Sequence, residues 1–189
     1  EGNKITTSKL KKTKEFGGGS GSGGGDSQTK LQESAQALVN ALAQQQGSVS
    51  ETDLTSQKLK GALSGVEVNV SFDEIMEFIS NAKPKWIITL VNTANLLVDY
   101  LGGGLQYHRG SSFVNSIYNA WNVARKKADL GQIKDDKWNP ADIWAVSSKV
   151  ESIEFKTDLN ELNDQLTQLF YDKALVGISL KQQADPTPK

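Results

Sequence analysis

The sequence predicts an α/β (α+β) chain whose helix-rich N-terminal two-thirds packs on a small mixed sheet. Three observations predict it. Apolar residues recur at helical spacing in several segments between residues 26 and 128. Short apolar runs of strand length follow residue 140, with one more helical pattern among them. A glycine- and serine-rich tract, Gly17 to Gly25, sets the first residues apart from everything after them. Residues 1–25 are therefore expected to form a flexible basic and glycine-rich arm, and residues 26–189 a single domain.

The arm carries Lys9, Lys11, Lys12 and Lys14 before its glycines. It lacks the Gly-Lys-Ser/Thr ending and the preceding apolar strand of a phosphate-cradling loop. Asp26 or Ser27 opens a helix to about Gln46, with Leu31, Ala35, Leu38, Val39, Leu42 and Ala43 as its apolar stripe. A weaker helix spans Thr52 to Leu63. Val66, Val68 and Val70 alternate with polar residues in a short strand. Ser71 and Glu74 form a capping box for a helix to about Asn81, and Pro84 suits the first turn of the helix that ends at Leu101 before three glycines. His108-Arg109-Gly110 reads as a surface turn, with anion binding at the following helix start as the sharper alternative. Ser111 or Ser112 caps a helix through Ala128. Its last turn holds Arg125, Lys126 and Lys127, which complement the helix dipole or contact phosphate. Ala141 to Val146 is a strand, Val150 to Phe155 its expected hairpin partner, Leu159 to Tyr171 a helix capped by Asp158, and Leu175 to Leu180 the last strand.

Composition narrows the chemistry. With 21 basic and 22 acidic residues the net charge is -1, so any nucleic-acid contact falls to local basic patches. There is no cysteine and His108 is the single histidine, which excludes disulfides, thiolate zinc sites and a two-histidine metal site within one chain. Carboxylates and backbone remain as ligands, and they suit magnesium or manganese. The longest apolar stretch, Trp86 to Leu101, is interrupted by Asn92, Thr93, Asn95 and Asp99 and falls short of a membrane span. The chain begins at Glu1 rather than Met, as expected of a processed product or a portion of a longer chain.

Asp142 opens an otherwise apolar strand, where a carboxylate is costly to bury unless something pairs with it. A strand-edge aspartate bonded to a turn is the simpler reading, and a metal ligand the sharper one. Two lysines fit beside it. Glu154-Phe-Lys156 is a literal Glu-x-Lys at hairpin distance, and Ser179-Leu-Lys181 lies on the last strand. In each, alternation puts the first and third residues on one face. The residues alone leave both open.

Lys137-Trp-Asn-Pro-Ala-Asp142-Ile-Trp, then Leu159-Asn-Glu-Leu-Asn and Gly177-Ile-Ser-Leu-Lys181, resembles a group of bacteriophage proteins of PD-(D/E)XK nuclease type. Leu10-Lys-Lys-Thr-Lys-Glu-Phe-Gly-Gly18 resembles how such proteins begin. The resemblance implies a PD-(D/E)XK-like core and a magnesium- or manganese-dependent DNA nuclease, or a nuclease-like DNA-binding protein, in the host cytoplasm or the virion. Asp142 and Glu33 would hold the metal, Lys181 would serve the attacking water, and Ser179 would support them. Ser179 stands where the motif expects an acid. That departure keeps a second expectation alive: a non-enzymatic virion or assembly protein that retains the fold and contacts neighbouring viral subunits. No membrane partner is expected, and the oligomeric state is left open.

Overall fold

A computed structural model describes residues 27–131, 133 and 135–180. The predicted arm, including Lys9 to Lys14, lies outside the described residues, and so does Lys181.

Helix α1 (Ser27–Gln46) runs through the middle of the molecule. Its ten residues from Ser34 to Ala43 are all buried, so it is covered on every side rather than along one stripe. That buries three polar side chains. Gln36 meets the cost by donating from Nε2 to Asn40 Oδ1 at 2.8 Å and to the Leu90 carbonyl at 3.0 Å. The predicted Thr52–Leu63 helix is instead a 3₁₀ turn (Glu51–Asp53), a short α2 (Ser56–Gly61) and a second 3₁₀ turn (Leu63–Gly65). Thr55 accepts from the Lys58 amide and starts α2 afresh, which is why one continuous helix does not form. Strand β1 (Val66–Val68) follows. Helix α3 (Phe72–Asn81) begins at the Ser71–Glu74 capping box, and α4 (Pro84–Leu101) has Pro84 in its first turn.

Strand β2 (Leu105–Arg109) corrects the sequence reading, which placed His108 and Arg109 in a turn. Helix α5 (Ser112–Lys127) is capped by Ser111, and the four-residue α6 (Asp135–Trp138) leads to β3 (Ile143–Ser147). Helix α7 (Leu159–Tyr171) is capped by Asp158, and β4 (Leu175–Ile178) is the last strand among the described residues, two residues shorter at its end than predicted.

The four strands form one mixed sheet in the order β1-β2-β3-β4. β1 is parallel to β2, and the other two pairings are antiparallel. The predicted hairpin between Ala141–Val146 and Val150–Phe155 does not form. β2 and β4 take the two edges of β3, and 150–155 is turn and irregular chain. Its apolar residues still pay their way, because Val150 and Phe155 are buried beside α5 and α7.

Alternation along the strands builds two cores. Leu105, Tyr107, Ile143, Ala145, Val176 and Ile178 pack with α1, α3 and α4. Trp144, Val146 and Leu175 pack with α5 and α7. The helix-rich N-terminal region thus packs against a small four-stranded mixed sheet in an α+β arrangement, with α5 and α7 on the opposite face.

Candidate functional site

The ladder between β3 and β4 pairs Ile143 with Ile178 and continues one residue outward, because the Asp142 amide donates to the Ile178 carbonyl at 2.9 Å. Carrying each strand register one step further sets Asn69, Gly110, Asp142 and Ser179 in a row across one end of the sheet. Gly110 has a left-handed φ of 64°, and a Cβ there would lie 2.8 Å from Asn69 Nδ2. The glycine therefore lets β2 turn away while Asn69 lies against it.

Asp142 is fixed by the neighbouring strand. Its Oδ2 accepts from the Leu180 amide at 2.6 Å and, at the longer distance of 3.4 Å, from Ser179 Oγ. Glu33 comes from α1, far away in sequence. Its Oε2 accepts from Arg109 Nε at 2.7 Å, and each of the two side chains is only 13% exposed. Arg109 Nη1 also donates to Asn69 Oδ1 at 2.8 Å. Burial pushes the Glu33 carboxyl above the usual range, Arg109 opposes that rise, and the negative charge of Asp142 adds to it.

Of the predicted site residues, Asp142 and Ser179 meet at this end of the sheet, and Glu33 is tied to Arg109 on the neighbouring strand. The fourth, Lys181, lies outside the described residues. The alternative pair does not reach it. Glu154 and Lys156 are on no strand, and their backbone groups are hydrogen-bonded to Gln165 of α7. Among the described residues no hydrogen bond or ion pair joins either one to Asp142. Sequence reasoning missed Arg109 and Asn69 as partners. One signal was present: Leu105, Tyr107 and Arg109 alternate, which places Arg109 on the α1 face of a strand.

The donor set suits a hard cation in kind. Glu33 and Asp142 are carboxylates, and the Ser179 hydroxyl is at hydrogen-bonding distance from Asp142. Among the described residues no hydrogen bond reaches Glu33 Oε1 or Asp142 Oδ1. Magnesium is commonly held by one or two carboxylates with water completing its shell. Among the described residues no group of three or more histidine, aspartate or glutamate side chains converges as an all-protein cage would require.

Gly177 supports the site from behind. A Cβ there would lie 2.9 Å from the Ala141 Cβ, next to Asp142. Gly177→Val is expected to cost about 1–3 kcal/mol by overpacking and to shift the segment bearing Asp142. Chemical denaturation measures the first effect. Loss of the Asp142–Leu180 hydrogen bond, followed by amide NMR, measures the second.

His108, on the other sheet face, is 2% exposed. Its Nδ1 lies 3.1 Å from Ser111 Oγ and 3.2 Å from Glu67 Oε2. Burial lowers its affinity for a proton below the ordinary value of 6.5, outweighing the opposing pull of Glu67 and Glu151. The unfolded chain then binds more protons than the folded one once the pH falls through 6.5. Thermal stability is expected to decline over that window, down to the lower folded value, and His108→Gln should flatten the decline. An unchanged profile in the variant would assign the pH dependence elsewhere.

No protein-family profile, curated protein or solved structure matches the chain. No helix among the described residues is long and apolar enough to cross a membrane.

Proposed function

We propose that the chain is a phage-encoded, divalent-metal-dependent DNA nuclease with a PD-(D/E)XK-like core. The observation that carries the reading is Asp142 held by the Leu180 amide and Ser179 hydroxyl at one end of the sheet, with Glu33 tied to Arg109 at the same end. Residues this distant in sequence come together only through the fold.

In this reading Glu33 and Asp142 hold a magnesium or manganese ion. Such an ion supplies charge neutralisation at the phosphate and activation of the attacking water. The Leu180 amide and Ser179 hydroxyl orient Asp142 by donating to its Oδ2. Lys181, next along the chain, orients the water and offsets charge developing on the phosphate. The basic arm adds salt-sensitive phosphate contacts, and the host cytoplasm or the virion is where such an activity would act.

One observation favours a second reading. Ser179 occupies the position of an acid, and a hydroxyl is a poorer ligand than a carboxylate. A nuclease-like virion or assembly protein without catalysis accounts for that exchange. A DNA cleavage assay with magnesium or manganese separates the two. The parent is expected to cleave, with Asp142→Ala and Lys181→Ala inactive. Equal activity in all three, or none in the parent, would favour the structural protein.

A further inference from the structure

We infer that the cleft between α5 and the segment 151–157 is the docking site of the chain's own basic N-terminal segment, Lys9 to Lys14, within one molecule. The inference stands apart from the proposed metal site and needs neither metal nor DNA.

Two clefts of about 480 and 460 Å³ run together along α5, since Ser116, Ser152 and Ile153 line both. Such an elongated cleft fits an extended chain better than a compact ligand. Its lining carries Glu67, Glu151 and Glu154 and no lysine or arginine, and Lys127, bonded to Thr157 Oγ1 at 2.9 Å, stands at the far end. His108 lines the near end. It is 2% exposed, and its Nδ1 lies 3.2 Å from Glu67 Oε2. An ionised carboxylate only accepts, so Nδ1 carries the proton and Nε2 is left as an acceptor. Among the described residues Nε2 has no partner. A lysine ammonium has three donors and no acceptor, and it complements the ring nitrogen and the carboxylates alike. The segment itself points to a peptide. Among the described residues no hydrogen bond reaches the Glu154 amide, the Phe155 amide or the Phe155 carbonyl, although Phe155 is only 6% exposed. An extended peptide satisfies such groups main chain to main chain.

Lys9, Lys11, Lys12 and Lys14 supply the complementary charge, and Leu10 among them supplies an apolar side chain for Val123 and Ile153. Helix α1 runs antiparallel to β2, with Gln44 bonded to Leu105 and Glu33 to Arg109. Its start at Ser27 therefore lies about 9 Å beyond Glu33, at the end of the sheet where α5 begins. Gly17 to Gly25 can span at most about 30 Å, enough to round the sheet to the cleft. A tether that short gives an effective concentration in the millimolar range, so an affinity of about 1 mM half-fills the cleft. Exposed ion pairs are individually weak and screened by salt, so the docked segment is released as salt rises.

The test is paramagnetic relaxation by NMR in the full chain. The sequence has no cysteine, so Ser8→Cys places a single spin label beside the lysines. At low salt the amides of Ser116, Asn119 and Ser152 to Phe155 are expected to lose most of their intensity. They should regain it at about 1 M salt, where the screening length falls to about 3 Å. Replacing Lys9, Lys11, Lys12 and Lys14 with glutamine should restore the same signals. So should Glu151→Gln combined with Glu154→Gln, two exposed residues whose exchange leaves both cores intact. Signal loss that is absent at low salt, that survives either set of substitutions, or that falls on other faces of the molecule overturns the inference. A mixture of isotope-labelled chain without the spin label and spin-labelled chain without the isotope should show no loss. Equal loss in that mixture would assign the docked segment to a second copy and overturn docking within one molecule.

Discussion

Asp142→Ala is expected to abolish divalent-cation binding, lowering manganese affinity more than about 100-fold, the upper range for losing even an outer-sphere partner of a bound metal. The same change should also cost stability. Asp142 Oδ2 accepts the Leu180 amide at 2.6 Å, and alanine leaves that part-buried donor unsatisfied. Such a loss costs about 1–3 kcal/mol. Asp142→Asn separates the two effects. It retains an acceptor for the Leu180 amide but loses the charge, so it should melt near the parent temperature while still failing to bind manganese. Calorimetry and thermal denaturation on the two variants measure both. An asparagine variant that binds manganese like the parent would remove Asp142 from the site.

The largest effect on folding is expected at Trp121. It is 2% exposed and stacks on Trp138 with ring centroids 4.5 Å apart and planes within 3°. It belongs to the core formed by α5, α7 and one face of the sheet. Trp121→Ala removes the stack and opens a cavity, at a cost of about 3–5 kcal/mol. For a chain of this size that corresponds to a fall in melting temperature of about 10 °C. Trp121→Phe should cost markedly less. Among the described residues its indole nitrogen has no hydrogen-bond partner, so the loss is one of contact area. Equal destabilisation by alanine and phenylalanine would mean that the indole nitrogen matters after all.

What the sequence made legible was local. The starts of α3, α4, α5 and α7 are fixed by Ser71, Pro84, Ser111 and Asp158, and each signal lies within a few residues of its effect. β2 was not legible, for the opposite reason. Its polar residues are tolerated in a buried strand because Glu33, Glu67 and Asn69 reach them from distant parts of the chain. The hairpin expected at Val150–Phe155 failed similarly. The apolar residues there signalled burial correctly, but burial in an irregular segment against α5 and α7 rather than in a ladder. α1 reads as amphipathic, yet Ser34, Gln36 and Asn40 are enclosed with its apolar residues. Nothing local announces a helix covered on all sides.

The candidate site divides the same way. Asp142 and Ser179 were found from their strands, and the register places them opposite one another. Glu33 was assigned through a resemblance, and the fold ties it to Arg109 at the same end of the sheet. Arg109 stayed hidden because its strand was read as a turn. It supplies a positive charge beside Glu33 that the expected site, with Lys181 as its only basic residue, did not include.

The most direct test of the central claim is anomalous diffraction from crystals of the full chain grown with manganese and a phosphorothioate duplex. A manganese peak is expected between Glu33 and Asp142, with a DNA phosphate beside it. Manganese bound elsewhere, or no peak while Arg109 remains paired with Glu33 beside bound DNA, would contradict a metal-dependent site at this end of the sheet.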